Sequence, residues 1–519
     1  MPQVPFLGPG KPSTFNEIWP PFKKDGESMN RTSKIAAVLG MGLALLPWAA
    51  MAQPAGSGKL DGAWRGTLDF GSMKMRIVLH LVTNSNGLTA TLDSPDQGKF
   101  DIPATSATLI GNEVTVKVAA NDSTISCRTG ANVDELTGTF TQRGGSIPLT
   151  LARVRELSSL NDSTRRPQTP VKPYPYREEE VNFASKAAGV TLAGTLTIPA
   201  GKGPFPAVVL ISGSGPNERD EVVFGHRVFM VLADQLTRRG VAVLRYDKRG
   251  LGKSSGEYVS ATSADFADDA EGGFAYLKTR PELQVAHIGL IGHSEGGMIA
   301  PMVASRNPGV DFVVLLAGPA VDGCKLVTEQ VRSLVLASGA DQAAADHKAD
   351  MQRELLELIA SGADTDKVSE LLRRQIGASS LSPAMQQQVA ALMSPWYRFM
   401  LTYDPAPALR KLKCPVLALI GDKDVQVPAA QNLPVTRTAL AANRQATVEE
   451  IAGINHIFQT AKTGLPAEYG GIEETMSPAV MEKVATWILH TTQAQAVSQN
   501  NSQAGVLASS SATQTVEVK

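Results

Sequence analysis

Three stretches of this chain carry side chains whose types can share one proton-transfer reaction. Gly292-His-Ser-Glu-Gly296 sets Ser294 between two glycines, Ile420-Gly-Asp-Lys-Asp-Val-Gln-Val-Pro428 offers two carboxylates, and Gly453-Ile-Asn-His-Ile-Phe458 offers an imidazole. A serine hydroxyl is a poor nucleophile at neutral pH, so it needs a base, and the base needs a carboxylate to orient it. Ser294, Asp424 and His456 follow one another in the order expected of a serine held on a strand-turn-helix elbow. Such a trio attacks carbonyl carbon.

Each member has rivals. Of seven histidines, His226 and His287 precede the serine, His293 adjoins it but is expected to face away, and His347 falls in a helical insertion. His456 follows the last strand in a loop, where a base can swing over the sheet edge; His490, near the end of the last helix, is the weaker rival. Asp424 sits deeper in its loop than Asp422, which abuts the strand and is expected to cap it. The oxyanion formed by attack needs two amides, one from the residue after the nucleophile, Glu295, and one from an early loop. Ser212-Gly-Ser-Gly-Pro216 is that loop, and its donor is assigned to the Ser214 amide. A phosphate cradle is the competing use of these glycines, but no Lys-Ser/Thr pair follows them and no acidic residue marks a dinucleotide ribose. Asp220, Asp247 and Arg249 lie near the same edge and are expected to shape loops. The bland alternative for residues 292–296 is a glycine-rich turn feeding a core helix.

The elements around these residues favour the elbow. Ile288-Gly-Leu-Ile reads as a buried parallel strand, and Met298, Ile299, Met302 and Val303 recur at helical spacing after it. From Arg177 onward, apolar runs alternate with helical stripes: Ala207–Ile211, Val241–Tyr246, His287–Ile291, Phe312–Ala317, Val416–Ile420 and Thr447–Ile451, after an opening hairpin at 180–183 and 190–198. Eight such strands predict an open, mostly parallel sheet covered on both faces, with reactive loops at the carboxyl ends. Residues 321–400 interrupt the alternation with helical stripes such as Leu355-Leu356-Ile359. They predict a helical cap that bounds the substrate pocket and excludes water.

With 519 residues, the chain exceeds one ordinary core. Residues 1–52 read as a leader and secretory signal: a basic stretch (Asn30–Lys34), an apolar stretch (Ile35–Ala49) too short for the roughly 20 residues of a membrane span, and a small-residue cleavage site before Gln53. Met29 is a candidate start. Export to the periplasm or beyond follows. Residues 57–155 alternate with period two between Gly/Asn/Asp clusters and predict an all-β domain, sandwich or barrel, in which His80 is structural. Residues 156–176 read as a proline-stiffened linker, 177–492 as the α/β domain, and 493–519, rich in Ser, Gln and Ala, as a disordered tail. A net charge of −1 argues for no nucleic-acid partner. The three cysteines, Cys127, Cys324 and Cys414, suggest no disulfide framework and no zinc site, leaving room for one bridge. No metal or organic cofactor is called for.

On Ser212-Gly-Ser-Gly-Pro216, Tyr246-Asp-Lys-Arg-Gly-Leu-Gly-Lys-Ser254, Gly292-His-Ser-Glu-Gly-Gly297, Gly421-Asp-Lys-Asp424 and Asn455-His456, residues 177–492 resemble the α/β-hydrolase superfamily. The likeness is to its branch of secreted bacterial esterases and serine aminopeptidase-like hydrolases. Many relatives carry His-Gly where this chain has Ser212-Gly213. The resemblance implies a serine hydrolase acting on a small ester, or alternatively on a short peptide from its N-terminus. Peptide hydrolysis would call for a carboxylate to bind the free amine, with Glu354 and Glu357 of the cap as candidates. A non-catalytic binding protein on the same fold is the remaining reading.

Overall fold

The computed structural model describes residues 60–512, apart from 70–73, 85–86, 95–98, 119–122, 130–133, 143–144, 155–165, 284–286 and 382. The expected leader and signal over 1–52 lies outside the described residues. So does the linker up to residue 165.

The first domain is one antiparallel sheet of nine strands, β1 (Gly62–Asp69), β2 (Lys74–Asn84), β3 (Gly87–Ser94), β4 (Lys99–Pro103), β5 (Ser106–Ile110), β6 (Glu113–Val118), β7 (Ser123–Thr129), β8 (Glu135–Gln142) and β9 (Gly145–Arg153). Their order is β4-β3-β2-β1-β9-β8-β7-β6-β5, so β4 and β5, two residues apart in the chain, stand at opposite edges. The sheet must therefore curl. Ala104 donates to the Ala90 carbonyl on one side of the seam and Thr105 to the Lys117 carbonyl on the other, which draws the two edges together. Period-two alternation fills the inside with side chains such as Trp64, Leu68, Ile77, Val116 and Phe140. His80 pairs with Asp93 across β2 and β3 at 2.8 Å.

From Arg166 the chain is strapped to the second domain. The Arg166 guanidinium donates to the carbonyls of Phe224, Gly470 and Ile472, and the Gln168 amide brackets Thr475 and Met476. The second half of the expected linker is thus docked rather than a free spacer. A planar guanidinium that meets three carbonyls explains why.

The second domain holds β10 (Arg177–Ala184), β11 (Thr191–Ile198), β12 (Ala207–Ile211), a two-residue hairpin β13 (Val222–Val223) and β14 (His226–Arg227), then β15 (Ala242–Tyr246), β16 (Ile288–His293), β17 (Phe312–Leu316), β18 (Val416–Gly421) and β19 (Ala446–Ile451). The main sheet runs β10-β11-β15-β12-β16-β17-β18-β19. From β15 onward neighbours are parallel. β12, β15, β16, β17 and β18 are buried along their length, as strands covered on both faces must be. The chain leaves β12 for β15 on one side and then returns to β16 on the other. That reversal opens a crevice beyond the carboxyl ends of β12 and β16, where ligands bind in open α/β sheets.

Residues 323–402 form five helices with their own apolar core, including Leu355, Leu356, Val368, Leu372 and Tyr397. Local signals start four of them: the side chains of Asp322, Asp341, Asp364 and Ser394 each accept a first-turn amide. The last helix, Pro478–Ala512, continues far into the segment expected to be a disordered tail. Its Ala and Gln residues are good helix formers, and composition had been read for burial rather than for propensity. Cys127, Cys324 and Cys414 are all free thiols.

The turn between β16 and the following helix is packed too tightly for side chains at Gly292 and Gly296. A Cβ at Gly292 would stand 1.9 Å from the Gly296 carbonyl oxygen, and one at Gly296 would stand 1.9 Å from the Ile211 carbonyl oxygen. Backbone cannot yield as a flexible side chain can. Gly296→Ala is expected to cost about 3 kcal/mol or more of unfolding free energy, read as a lowered urea midpoint at unchanged slope.

Candidate active site

Ser294 joins β16 to the helix Glu295–Ala304 with φ 54° and ψ −119°. A non-glycine residue at positive φ is strained and persists only where its surroundings hold it. Here its amide donates to the Leu316 carbonyl at 2.9 Å, and its own carbonyl accepts from Gly297 at 2.8 Å. The hydroxyl is thereby lifted off the sheet edge at the start of a helix, beside unpaired amides and the positive end of the helix dipole.

His456 arrives from the loop after β19. That loop is closed by a bridge between Ile454 and Thr460 and by Asn455, whose side chain binds the Gln459 amide and side chain. Its Nε2 lies 3.0 Å from Ser294 Oγ and its Nδ1 lies 2.8 Å from Asp424 Oδ2. An ionised carboxylate only accepts, so Nδ1 carries the proton and Nε2 presents a lone pair to the serine hydroxyl. Asp424 Oδ1 is fixed by the amides of Gln426 and Val427, both at 2.8 Å. All three side chains are buried. Asp422 instead accepts from the Gly453 amide and holds the histidine loop from outside.

Of the two predicted amide donors, Ser214 lines a cavity beside Ser294, and Glu295 is the residue after Ser294 at the start of the helix. Gly213, Ser214, His293, Ser294 and His456 line one cavity of about 130 Å³, with Glu221, Val222, Val223, Phe224, Gln426, Ile457 and Tyr469 among its other walls. The Gly213 amide is taken by Glu221 Oε1 at 2.6 Å. Among the described residues, the amides of Ser214 and Glu295 have no acceptor.

Two expectations about the surroundings are corrected. No residue of 321–400 lines this cavity, whose walls come from the 213–224 loop and from segments 426 and 456–469. The helical insertion touches the elbow from behind instead, where Trp396 Nε1 donates to Glu295 Oε1 at 2.7 Å. Glu354 is paired with Arg374 and Glu357 is 64% exposed, so neither faces the cavity. His293 does not face away. Its Nδ1 is 3.0 Å from Glu221 Oε1, its Nε2 is 3.0 Å from the His456 carbonyl, and its ring centroid is 5.1 Å from that of His456.

A carbonyl only accepts, so His293 Nε2 donates to the His456 carbonyl, and a protonated ring would donate from Nδ1 to Glu221 as well. Burial opposes that charge, but the Glu221 carboxylate outweighs it and raises the His293 pKa. His456 moves the other way. Burial pushes its pKa below the ordinary 6.5, Asp424 opposes this, and the nearby His293 adds to the lowering. Asp220, Asp247 and Arg249 hold loops through Arg245, Arg219 and Asp269. His226 is buried against Thr475 and Tyr469, its pKa lowered to about 4 by burial, and takes no part. Among the described residues, no three His, Cys, Asp or Glu side chains converge as metal ligands would. Glu221 and His293 escaped sequence reasoning; the only trace was an acid among turn residues two positions after Arg219.

Neutral His456 is the form whose Nε2 can accept a proton from Ser294 Oγ. The rate of Ser294 labelling by a fluorophosphonate is expected to be flat near neutrality and to fall only below pH 6.5, as Nε2 takes up a proton. Glu221→Gln removes the counter-charge that keeps His293 protonated. With that neighbouring positive charge gone, protonation of His456 becomes easier, so the falling limb is expected to move to higher pH; a limb that stays in place would show His293 to be uncharged.

Residues 226–459 match the family model described as serine aminopeptidase, S33. The chain is similar to the esterase EstD of Thermotoga maritima, 27% identical over 302 residues. The aligned part is 57% of this chain and 65% of that relative, just under two thirds of its length. Among solved structures it is similar to the Pyrococcus furiosus esterase Pf2001, with 13% identity, 64% of this chain and 98% of that one covered, and a TM-score of 0.38. A second is Est1E of Butyrivibrio proteoclasticus, with 17% identity, 60% and 98% covered, and a TM-score of 0.36. At that distance nothing about their chemistry transfers. The family match over residues 226–459 and the similarity to the curated relative, joined to the eight-stranded sheet and its serine turn, lead to one conclusion: the second domain has the α/β-hydrolase fold.

Proposed function

We propose that this protein is a serine hydrolase that cleaves short-chain carboxylic esters through an acyl-enzyme. The observation that carries the proposal is the unbroken line from Ser294 Oγ through the His456 ring to Asp424 Oδ2, at 3.0 and 2.8 Å, on the wall of a cavity. Ser294 Oγ attacks the ester carbonyl carbon while His456 Nε2 takes its proton. The carbonyl electron pair moves to oxygen, where the Ser214 and Glu295 amides receive the charge. Collapse breaks the bond to the alkoxy group, which leaves with the proton from Nε2. Water then repeats the sequence on the acyl-enzyme and frees the acid and Ser294. Asp424 orients His456 and compensates its transient positive charge.

The relative named as an esterase supports ester over amide. The cavity, of about 130 Å³, supports a short acyl group. Its walls at Val222, Val223, Phe224 and Ile457 are apolar. Peptide hydrolysis from an N-terminus, suggested by the family description, needs an unengaged carboxylate for the amine. Glu221 lines the cavity and is the candidate: its Oε1 is engaged by His293 and Gly213, while its buried Oε2 has no partner among the described residues.

On p-nitrophenyl esters, turnover is expected to be highest for acetyl to butyryl and to fall about tenfold or more by octanoyl. Aminoacyl p-nitroanilides are expected to be poor substrates, and preference for them would shift the assignment to the peptidase. Ser294→Ala is expected to abolish fluorophosphonate labelling and to lower kcat by about a millionfold. Asp424→Asn is expected to lower it by about ten-thousandfold with little change in fold.

The place of action is proposed to lie outside the cytoplasm. The basic stretch at Arg31 and Lys34, the apolar run after it and the small residues before Gln53 support this. N-terminal sequencing of protein recovered from the periplasm or medium is expected to begin at Gln53.

A further inference from the structure

The Ser214 amide belongs to the same peptide unit as the Gly213 carbonyl. That carbonyl oxygen accepts from Lys248 Nζ at 2.7 Å and from Asn217 Nδ2 at 2.8 Å. In a planar trans peptide the C=O and N–H leave on opposite edges. Holding the oxygen therefore sets the direction of the Ser214 N–H. On its other side Gly213 is held by its own amide, which donates to Glu221 Oε1, and it is pressed against the nucleophile: a Cβ here would stand 3.0 Å from Ser294 Cβ.

Lys248 is an unusual residue to find in that position. Its side chain is 3% exposed, over the ring of Phe266, and its Nζ is 3.3 Å from Glu295 Oε2, itself on a side chain 1% exposed. Glu295 Oε1 takes the Ser263 hydroxyl at 2.6 Å and the Trp396 indole at 2.7 Å. Burial works against the Glu295 carboxylate, but Lys248 and these donors hold its pKa below the usual range. A buried ion pair is no more stabilising than apolar side chains of the same volume. Its place here is better explained by what the ammonium touches.

We propose that Lys248 is the positioning residue of the oxyanion hole. Its ammonium fixes and polarises the Gly213–Ser214 peptide, and its pairing with the Glu295 side chain ties that donor to the second one, the Glu295 amide. Glu295 thus serves the hole twice, by its backbone as a donor and by its carboxylate as the anchor of the lysine. A positive charge on the carbonyl oxygen draws electron density from the amide nitrogen, so the N–H becomes a stronger donor where water is excluded. The inference rests on the serine-hydrolase reading above.

The test compares the full chain with Asn217→Ala and with the double variant Lys248→Met/Glu295→Gln, which leaves no unpaired buried charge. Dependence on Ser294 is established first with Ser294→Ala. The double variant is expected to lose about 10- to 100-fold in kcat on p-nitrophenyl acetate with KM within about threefold. Its affinity for an aryl trifluoromethyl ketone, whose hemiketal oxyanion occupies the hole, is expected to fall by the same factor as kcat/KM. Asn217→Ala, which removes the second donor to the same oxygen, is expected to lose about three- to tenfold in both. A folded double variant that keeps kcat within about threefold, or that loses kcat while keeping ketone affinity, overturns the proposal. If the double variant does not fold, Asn217→Ala decides, and unchanged kcat and ketone affinity there overturn it. Wild-type turnover that survives Ser294→Ala would instead remove the hydrolase reading itself.

Discussion

Backbone packed against backbone at the serine turn is the constraint on which the site depends. Gly292 and Gly296 face each other across the turn, Gly296 lies on the end of β12, and a Cβ at Gly297 would stand 2.5 Å from Gly318 Cα. Only that closeness lets a strand reverse into a helix within one residue. The positive φ of Ser294 costs on the order of 1–3 kcal/mol, and the buried parallel strands on either side supply what holds it. The same wedge sets the distance between the β12 loop and the nucleophile, so strain, sheet packing and chemistry share one cause.

Around this wedge the molecule buries several charges in compensated pairs. His293 with Glu221, Lys248 with Glu295, and Arg249 with Asp269 are each almost wholly out of water. Removing one member of such a pair costs far more than the pair itself contributes. Four of these six groups also hold a backbone group: Glu221 the Gly213 amide, His293 the His456 carbonyl, Lys248 the Gly213 carbonyl, Arg249 the Asp265 carbonyl. The pairs act as fixed posts for loops that carry no regular hydrogen-bond ladder. Positive φ at Glu221, Phe224 and Phe458, all close to the cavity, belongs with this pattern of loops held in place by contacts from outside.

Much of the second domain was legible because its physics is local. Apolar runs of five residues mark strands covered on both faces, and the Asp and Ser caps of the inserted helices announce their starts. Of the two carboxylates after β18, position in the loop favoured Asp424, and it is the one the histidine meets; Asp422 turns to a backbone amide. What escaped was of another kind. His293 was expected to face away, yet it meets the carbonyl of His456, and a backbone acceptor leaves no mark in a sequence. The insertion was expected to wall the pocket, yet it reaches the elbow from behind through one indole, because helical periodicity tells which face is apolar and not where that face docks. The tail was judged by its few large apolar residues, although its alanines and glutamines favour helix.

The chain by itself determined the kind of chemistry, the order of its carriers and the layered sheet, because residue type, glycine spacing and hydrophobic period are properties of short stretches. Only the tertiary structure decided that the imidazole of residue 456 reaches residue 294, that a cavity opens beside them, and that Lys248 and Glu221 grip opposite sides of one glycine. Those facts are distances between segments up to about 160 residues apart, and no local pattern contains them.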